Sequence, residues 1–406
     1  MYQVGPGNKS EKPRFALAVD GFSFYEPPVL LRTILGGLAL LSFVLMLWQW
    51  LVARRFPLHK RATATPFAPG ITLLKPLKGC DETTEACLRS WLAQQYGGPV
   101  QALFGVASGE DLVCELVRKL LLEFPAVDAQ LIVCGPLTGT NLKVSKLAEL
   151  MGLAKHDVLV VSDADVRVPP DFLTNVVAPL EKPEVGLVNC FYSLANPTTA
   201  AMRWEAVAIN ADFWSQVLQS QSLKPLDFAL GAVMATRRKQ LEETGGFEAL
   251  KDCLADDYQL GNRIARKGYR ISLSTVAVEC WSAPMSWSQV WKHQLRWART
   301  IRVCQPLPYF FSILSNPTLW PLLWLLAFPA PVALGVSCGF WFIRCLTAAN
   351  LQRRLVRSRV RFGLVLLPLL KDLLQAAIWV LAFTGNRIEW RGERMKLKRD
   401  GTLVRN

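Results

Sequence analysis

The chain has 406 residues, 51% of them hydrophobic, and 46 Lys and Arg against 32 Asp and Glu, a formal net charge of +14. That apolar content excludes an intrinsically disordered chain, and the length allows two or three domains. The charge is lopsided: residues 1–69 carry +5, residues 70–300 carry −2, residues 301–343 carry +1 and residues 344–406 carry +10. A nucleic-acid reader shows its basic footprint on the folded domain. Here the largest block is nearly neutral, so no nucleic-acid partner is expected and the basic ends point to a membrane surface.

Residues 1–28 read as an N-terminal tail. From Thr33 to Ala53 there is no charged residue, and 21 residues at 1.5 Å each match a hydrocarbon core of roughly 30 Å. Residues 29–53 are therefore a predicted transmembrane anchor, with Trp48 and Trp50 in an aromatic belt. A cleaved signal peptide fits less well, because Arg54-Arg55 stands where small cleavage-site residues belong. Arg54, Arg55, Lys60 and Arg61 put residues 54 onward in the cytoplasm by the positive-inside bias.

Residues 70–300 alternate β-type and helix-type runs. Ile71–Leu74 precedes a helical Glu82–Gln95, Val100–Ala107 precedes Asp111–Phe124, Ala129–Val133 precedes Lys143–Met151, and Val158–Ser162 is an apolar run suited to a strand buried on both faces. This is the pattern of an α/β domain with a mainly parallel sheet, whose ligands bind beyond the carboxyl ends of the strands. Carboxylates follow three of those runs: Asp81 in Lys75-Pro-Leu-Lys-Gly-Cys-Asp81, Glu110-Asp111, and Asp163-Ala-Asp165. A D-x-D at a buried strand's end can share Mg²⁺ or Mn²⁺ with a diphosphate. No GxGxxG or P-loop pattern occurs.

Further on, Ala255-Asp256-Asp257-Tyr258 opens a helical stretch, where acids suit the helix dipole or supply a general base. His293, Arg296 and Trp297 fall at i, i+3, i+4 and share one helix face. The alternative for them is a basic juxtamembrane helix with an interfacial Trp. Ten Cys are scattered without a CxxC pair, as expected of reduced thiols. Leu307–Ile343 has 37 residues without a charge, so residues 305–345 read as a transmembrane hairpin or long span with a turn at Pro329-Ala-Pro331. Residues 362–383 are a transmembrane or re-entrant helix interrupted by Lys371-Asp372, a pair that must face protein, water or headgroups. Residues 384–406 read as a basic tail. The arginines at 353–361 and the tail both favour the cytoplasm, which conflicts with a full span at 362–383.

In order, Lys75-Pro-Leu-Lys-Gly-Cys-Asp81, Ser162-Asp163-Ala-Asp165-Val-Arg167-Val, Ala255-Asp-Asp257-Tyr and His293-Gln-Leu-Arg296-Trp297 resemble the D, D, D, (Q/R)xxRW signature of the ceramide glucosyltransferases (glycosyltransferase family 21, family 2-like), including bacterial hopanoid-associated relatives. The likeness spans about residues 28–400, and His293 departs from the usual Gln or Arg. It implies a GT-A nucleotide-sugar-binding domain on the cytoplasmic face of a bacterial inner membrane. The cofactors implied are a divalent cation (Mg²⁺ or Mn²⁺) and a UDP-sugar donor. The acceptor is a lipid alcohol, ceramide or a hopanoid. Carried over by residue, Asp257 is the base, and Asp163, Arg296, Trp297 and His293 complete the catalytic set. Asp165 and Asp163 are the metal ligands, and Asp81, Glu110, Asp111, Asp163 and Lys143 are grouped at the donor, Glu110 and Asp111 near the uracil. The expected reaction is an inverting hexosyl transfer to a lipid hydroxyl. A hopanoid-associated glycosyltransferase, a processive polysaccharide synthase and a non-catalytic scaffold are the rivals.

Overall fold

A computed structural model of the chain describes residues 1–2, 28–62, 67–357, 366–390 and 393–405. Most of the expected N-terminal tail, together with Arg359 and Arg361, lies outside the described residues.

Eight strands form one sheet: β1 Ile71–Pro76, β2 Val100–Val106, β3 Asp128–Val133, β4 Val158–Ser162, β5 Val166–Arg167, β6 Val185–Leu194, β7 Val233–Arg237 and β8 Arg270–Cys280, in the order β3-β2-β1-β4-β7-β6-β8-β5. β3, β2, β1 and β4 are parallel neighbours. β7 runs antiparallel between β4 and β6, and β8 returns parallel to β6. The sheet is mainly parallel in its first half and mixed in its second. Every residue of β1 and β4 is buried, as a strand covered by helices on both faces requires.

Helices cover both faces and make two cores. On one face Leu88, Trp91, Val117 and Phe172 pack on the sheet. On the other, Trp214, Leu147 and Leu260 are joined by Ala53, Ala348, Leu351 and Leu355 from two long apolar helices. The α/β domain and the ends of those helices thus share one core.

The two long helices, Val29–Arg55 and Pro331–Val356, are each long and apolar enough to cross a membrane. They run parallel: Phe43 stacks on Phe340 at 4.1 Å, Trp50 donates to Asn350 at 3.1 Å, and Arg354 donates to the Arg54 carbonyl at 3.2 Å. Between them in sequence, Pro306–Ser315 and Leu319–Ala327 form a pair bent by 54° that passes the same test only when taken together, as a broken span or a re-entrant loop. The helix after Pro329-Ala-Pro331 does not stop at Ile343 but continues to Val356. Arg344 does not end it, because this charge is neutralised inside the protein. Its guanidinium bonds Asp212 at 3.0 and 2.9 Å and Asp372 at 2.9 and 2.8 Å, and Lys371 bonds both carboxylates. All four side chains are buried. The Lys371-Asp372 interruption is therefore one half of a neutral four-charge cluster, the form in which buried ions are tolerated.

The Leu367–Phe383 helix starts after the Val356 end, which lies beside Arg54, and packs Ile378 and Ala382 against Trp204, Val290 and Ala298. The chain then forms a three-stranded antiparallel sheet, β9 Arg387–Trp390, β10 Glu393–Leu397 and β11 Leu403–Arg405. The described part of the basic tail, residues 384–390 and 393–405, is thus folded as a small sheet. Ile388, Met395, Leu397 and Leu403 bury one face against Leu254, while the charges alternate outward. The Leu403 N–H donates to the Asp252 carbonyl at 2.7 Å. The C-terminal end of the Leu367–Phe383 helix accordingly lies on the side of the α/β domain.

Candidate active site

The carboxyl edge of the parallel strands gathers the acidic residues. Asp163 and Asp165 follow β4, and the Asp163 N–H donates to the Ala232 carbonyl at 3.3 Å, next to the start of β7. From across the cleft, the Asp256–Arg266 helix brings Asp256 and Asp257. Lys143, in the first turn of the Leu142–Gly152 helix, joins the two sides. Its ammonium lies 2.8 Å from Asp163 and 3.2 Å from Asp256. Burial opposes its charge, but these carboxylates hold it well above the ordinary lysine range.

Asp257 is half-buried, and desolvation followed by the charge of Asp256 pushes it up to about 7, with Lys143 pulling the other way. The backbone comes close here. A Cβ on Gly231 would fall 2.7 Å from Asp257 Oδ2, so only glycine leaves that carboxylate its place. Asp165 is exposed beside the end of β4, where the surrounding protein reduces the hydration of its carboxyl. That desolvation, followed by the neighbouring Asp163, raises it to about 6. Such a pair of mutually repelling carboxylates, one of them open to solvent, suits a divalent cation. Among the described residues no cluster of three His, Cys, Asp or Glu side chains is placed to hold a metal. Further ligands would have to come from a substrate or water.

Lys75 supports this edge from below. Its buried ammonium donates to the Asp163 carbonyl at 2.8 Å and to Ser162 Oγ at 3.2 Å, lies over Trp91, and is drawn down to about 8 by burial. Asp81 Oδ1 accepts four bonds from Thr83 and Thr84 at 2.8–3.0 Å, which cap the Thr84–Leu92 helix. Partial burial opposes its charge, but those bonds hold its carboxyl below the usual range. Both oxygens of Asp111 accept from Gly79 N–H at 3.0 and 3.1 Å, clasping the loops after β1 and β2 together. Glu110 is exposed beside it.

The Trp287–Cys304 helix starts at a capping box made by Ser286 and Gln289. His293 packs edge-on to Trp297 at 4.8 Å, and Trp297 meets Tyr192 and Phe213 at 6.4 and 5.9 Å. Arg296 is half-buried on the same helix. Tyr192, at the end of β6, links this group to the acids. Burial raises its hydroxyl pKa, and the Asp257, Glu205 and Asp163 charges add to the effect. Glu205, on the Ala200–Val207 helix, is the residue that motif reading missed. Its carboxylate is 1% exposed and lies 2.6 Å from His293 Nδ1 and 2.8 Å from Gln294 Nε2. A carboxylate accepts, so His293 turns its Nδ1–H to Glu205 and its Nε2 edge away. Tyr258, next to Asp257, donates to the Cys304 carbonyl at 2.9 Å and ties the two halves together.

The chain is similar to several known proteins. Ceramide glucosyltransferase 3 of Caenorhabditis elegans is 22% identical over 384 residues, 90% of this chain and 82% of that protein. The ceramide glucosyltransferase of Candida albicans is 33% identical over 122 residues, 27% of this chain and 22% of that protein. Among solved structures, the mannosyltransferase of Pyrobaculum calidifontis in complex with GDP-Man and Mn²⁺ is similar at 21% identity. It covers 86% of this chain and 99% of its own, with a TM-score of 0.49. The model of glycosyl transferase family 21 matches residues 34–403. That span takes in the carboxylate cluster, the His293–Trp297 helix and both long apolar helices, and the chain belongs to this family: it is a membrane glycosyltransferase with an α/β nucleotide-sugar domain.

Proposed function

We propose that the protein transfers a hexose from a UDP-sugar to the hydroxyl of a membrane lipid of the ceramide type, with inversion at the anomeric carbon. The observation that carries this reading is the Lys143 ammonium between Asp163 and Asp256, with Asp165 and Asp257 beside those two carboxylates, one ring away from the His293–Trp297 helix that leads into the membrane segments. The α/β domain then faces the cytoplasm, consistent with Arg54, Arg55 and the basic C-terminal sheet all lying on its side.

Asp165 and Asp163 are the residues to hold a divalent cation, which when bound neutralises charge on the departing diphosphate. Asp81 and the loops clasped by Asp111 form the donor end. Asp257, poised near neutrality, accepts the proton of the attacking lipid hydroxyl. Arg296 contributes positive charge toward the leaving group. Glu205 fixes His293 so that its Nε2 edge and Trp297 orient the acceptor. Lys143 keeps Asp257 from being neutralised altogether. The Leu367–Phe383 helix is re-entrant in this reading, entering and leaving on the cytoplasmic side and flooring the acceptor's path to the cleft.

The test is incubation of membranes carrying the chain with UDP-glucose or UDP-N-acetylglucosamine and total lipid, followed by mass spectrometry. A lipid that gains one hexose from UDP-glucose supports the reading. Sugar found only in polymer, or in no product, overturns it.

A further inference from the structure

The two long apolar helices end side by side, and between their ends lies a cavity of about 350 Å³ lined by Leu58, His59, Asn350, Arg353, Arg354 and Arg357. It lies apart from the carboxylate cluster, and no acidic side chain lines it. Arg354 donates to the carbonyls of Arg54 and Phe56 at 3.2 Å each, and its buried Nε has no hydrogen-bond partner among the described residues. His59 Nε2 is held 2.8 Å from the Arg354 carbonyl. Among the described residues, His59 and Arg357 are the two non-glycine positions with left-handed backbone, at φ 65° and 58°. At Arg357 this is the left-handed cap that ends its helix, and at His59 it is a turn position strained for a residue with a Cβ. Both line this one cavity. A helix C-terminus attracts a cation, but its half-charge does not account for three arginines.

We infer that this cavity binds the phosphate of an anionic phospholipid headgroup. The chemistry is that of a phosphate among guanidiniums, which bind it with charge-assisted, often bidentate bonds. The position is that of a headgroup, because the cavity opens where the apolar lengths of both helices finish. A free phosphate offers the same oxygens, and the experiment separates the two sources.

The full-length protein is reconstituted in nanodiscs of phosphatidylcholine alone or with phosphatidylglycerol, and bound lipid is measured by native mass spectrometry after release. Wild-type protein should retain phosphatidylglycerol over phosphatidylcholine. Arg353→Gln with Arg357→Gln should weaken that retention about 25-fold, from about fivefold for each arginine at a charged surface. Arg354 is left intact because it secures the end of the first helix. The paired Lys substitutions should keep most of the preference, which a merely misfolded variant would not. In a second arm, inorganic phosphate is titrated against the phosphatidylcholine discs and read by thermal shift. Equal retention of both lipids by the wild type would overturn the inference. So would an unaltered preference in the Gln pair, or stabilisation by inorganic phosphate that phosphatidylglycerol does not match.

Discussion

Replacing Asp257 by Asn separates catalysis from stability, and the two effects have opposite signs. The wild-type carboxyl is held at about 7 rather than 3.8, first by desolvation and then by Asp256. Raising a carboxyl's pKa on folding means that its neutral form stabilises the native state. That contribution is complete below about pH 4 and is lost as pH rises through 7. The ionised form is thereby disfavoured by about 4 kcal/mol, of which about 3 develops between pH 5 and pH 8. An amide does not ionise, so Asp257→Asn is predicted to be more stable than wild type at pH 8 by up to this amount and at pH 5 by only about 1.5 kcal/mol. For a domain of this size 1 kcal/mol moves the melting temperature by roughly 2–4 °C. Thermal unfolding of the solubilised enzyme without donor should therefore show an advantage of several degrees at pH 8 that shrinks at pH 5. Turnover by the same variant should fall by roughly 10²–10⁴-fold, the usual contribution of a general base. A variant that keeps near-full activity, or that gains no stability as pH rises, refutes the assignment.

Gly231→Ala places a Cβ 2.7 Å from Asp257 Oδ2 and should depress kcat with little change in donor affinity, read by steady-state kinetics. Glu205→Gln removes a charged partner from His293; a bond of this kind is worth roughly 1.5–3 kcal/mol, so kcat/KM for the lipid should fall about 10–100-fold while the KM for the UDP-sugar stays. Arg344→Met leaves Asp212 and Asp372 buried with only Lys371, and should destabilise the membrane region by roughly 3–5 kcal/mol in thermal unfolding, with lesser loss if Asp372→Asn is added. EDTA should abolish transfer and excess Mn²⁺ or Mg²⁺ should restore it, with full activity in the chelator excluding the metal role of Asp163 and Asp165.

Much of the architecture was legible because it rests on uninterrupted local patterns. The apolar runs at β1, β2 and β4, and the charge-free stretch from Thr33 to Ala53, need no partner to be recognised. The four signature segments were legible in the same way, since strand ends and helix starts carry their polar residues at fixed places. What was missed depends on long-range pairing. Lys371-Asp372 looks prohibitive alone, and only Asp212 and Arg344, 132 residues apart, neutralise it. The C-terminal sheet carries a period-two signal at Ile388, Met395 and Leu397 that its basic residues obscured. Glu205 is a lone acid on an apolar helix, and nothing in its neighbourhood announces His293, 88 positions later. Asp111, at the end of another strand, holds two loops together, a contact that its local sequence does not announce.

The central claim is a single displacement by a lipid hydroxyl at the donor's anomeric carbon. The measurement that bears on it most directly is proton NMR of the glycolipid made by the purified enzyme from UDP-α-glucose and ceramide. A β-linked glucosyl lipid is the predicted product, and an α-linkage, or sugar attached to no lipid, contradicts the account.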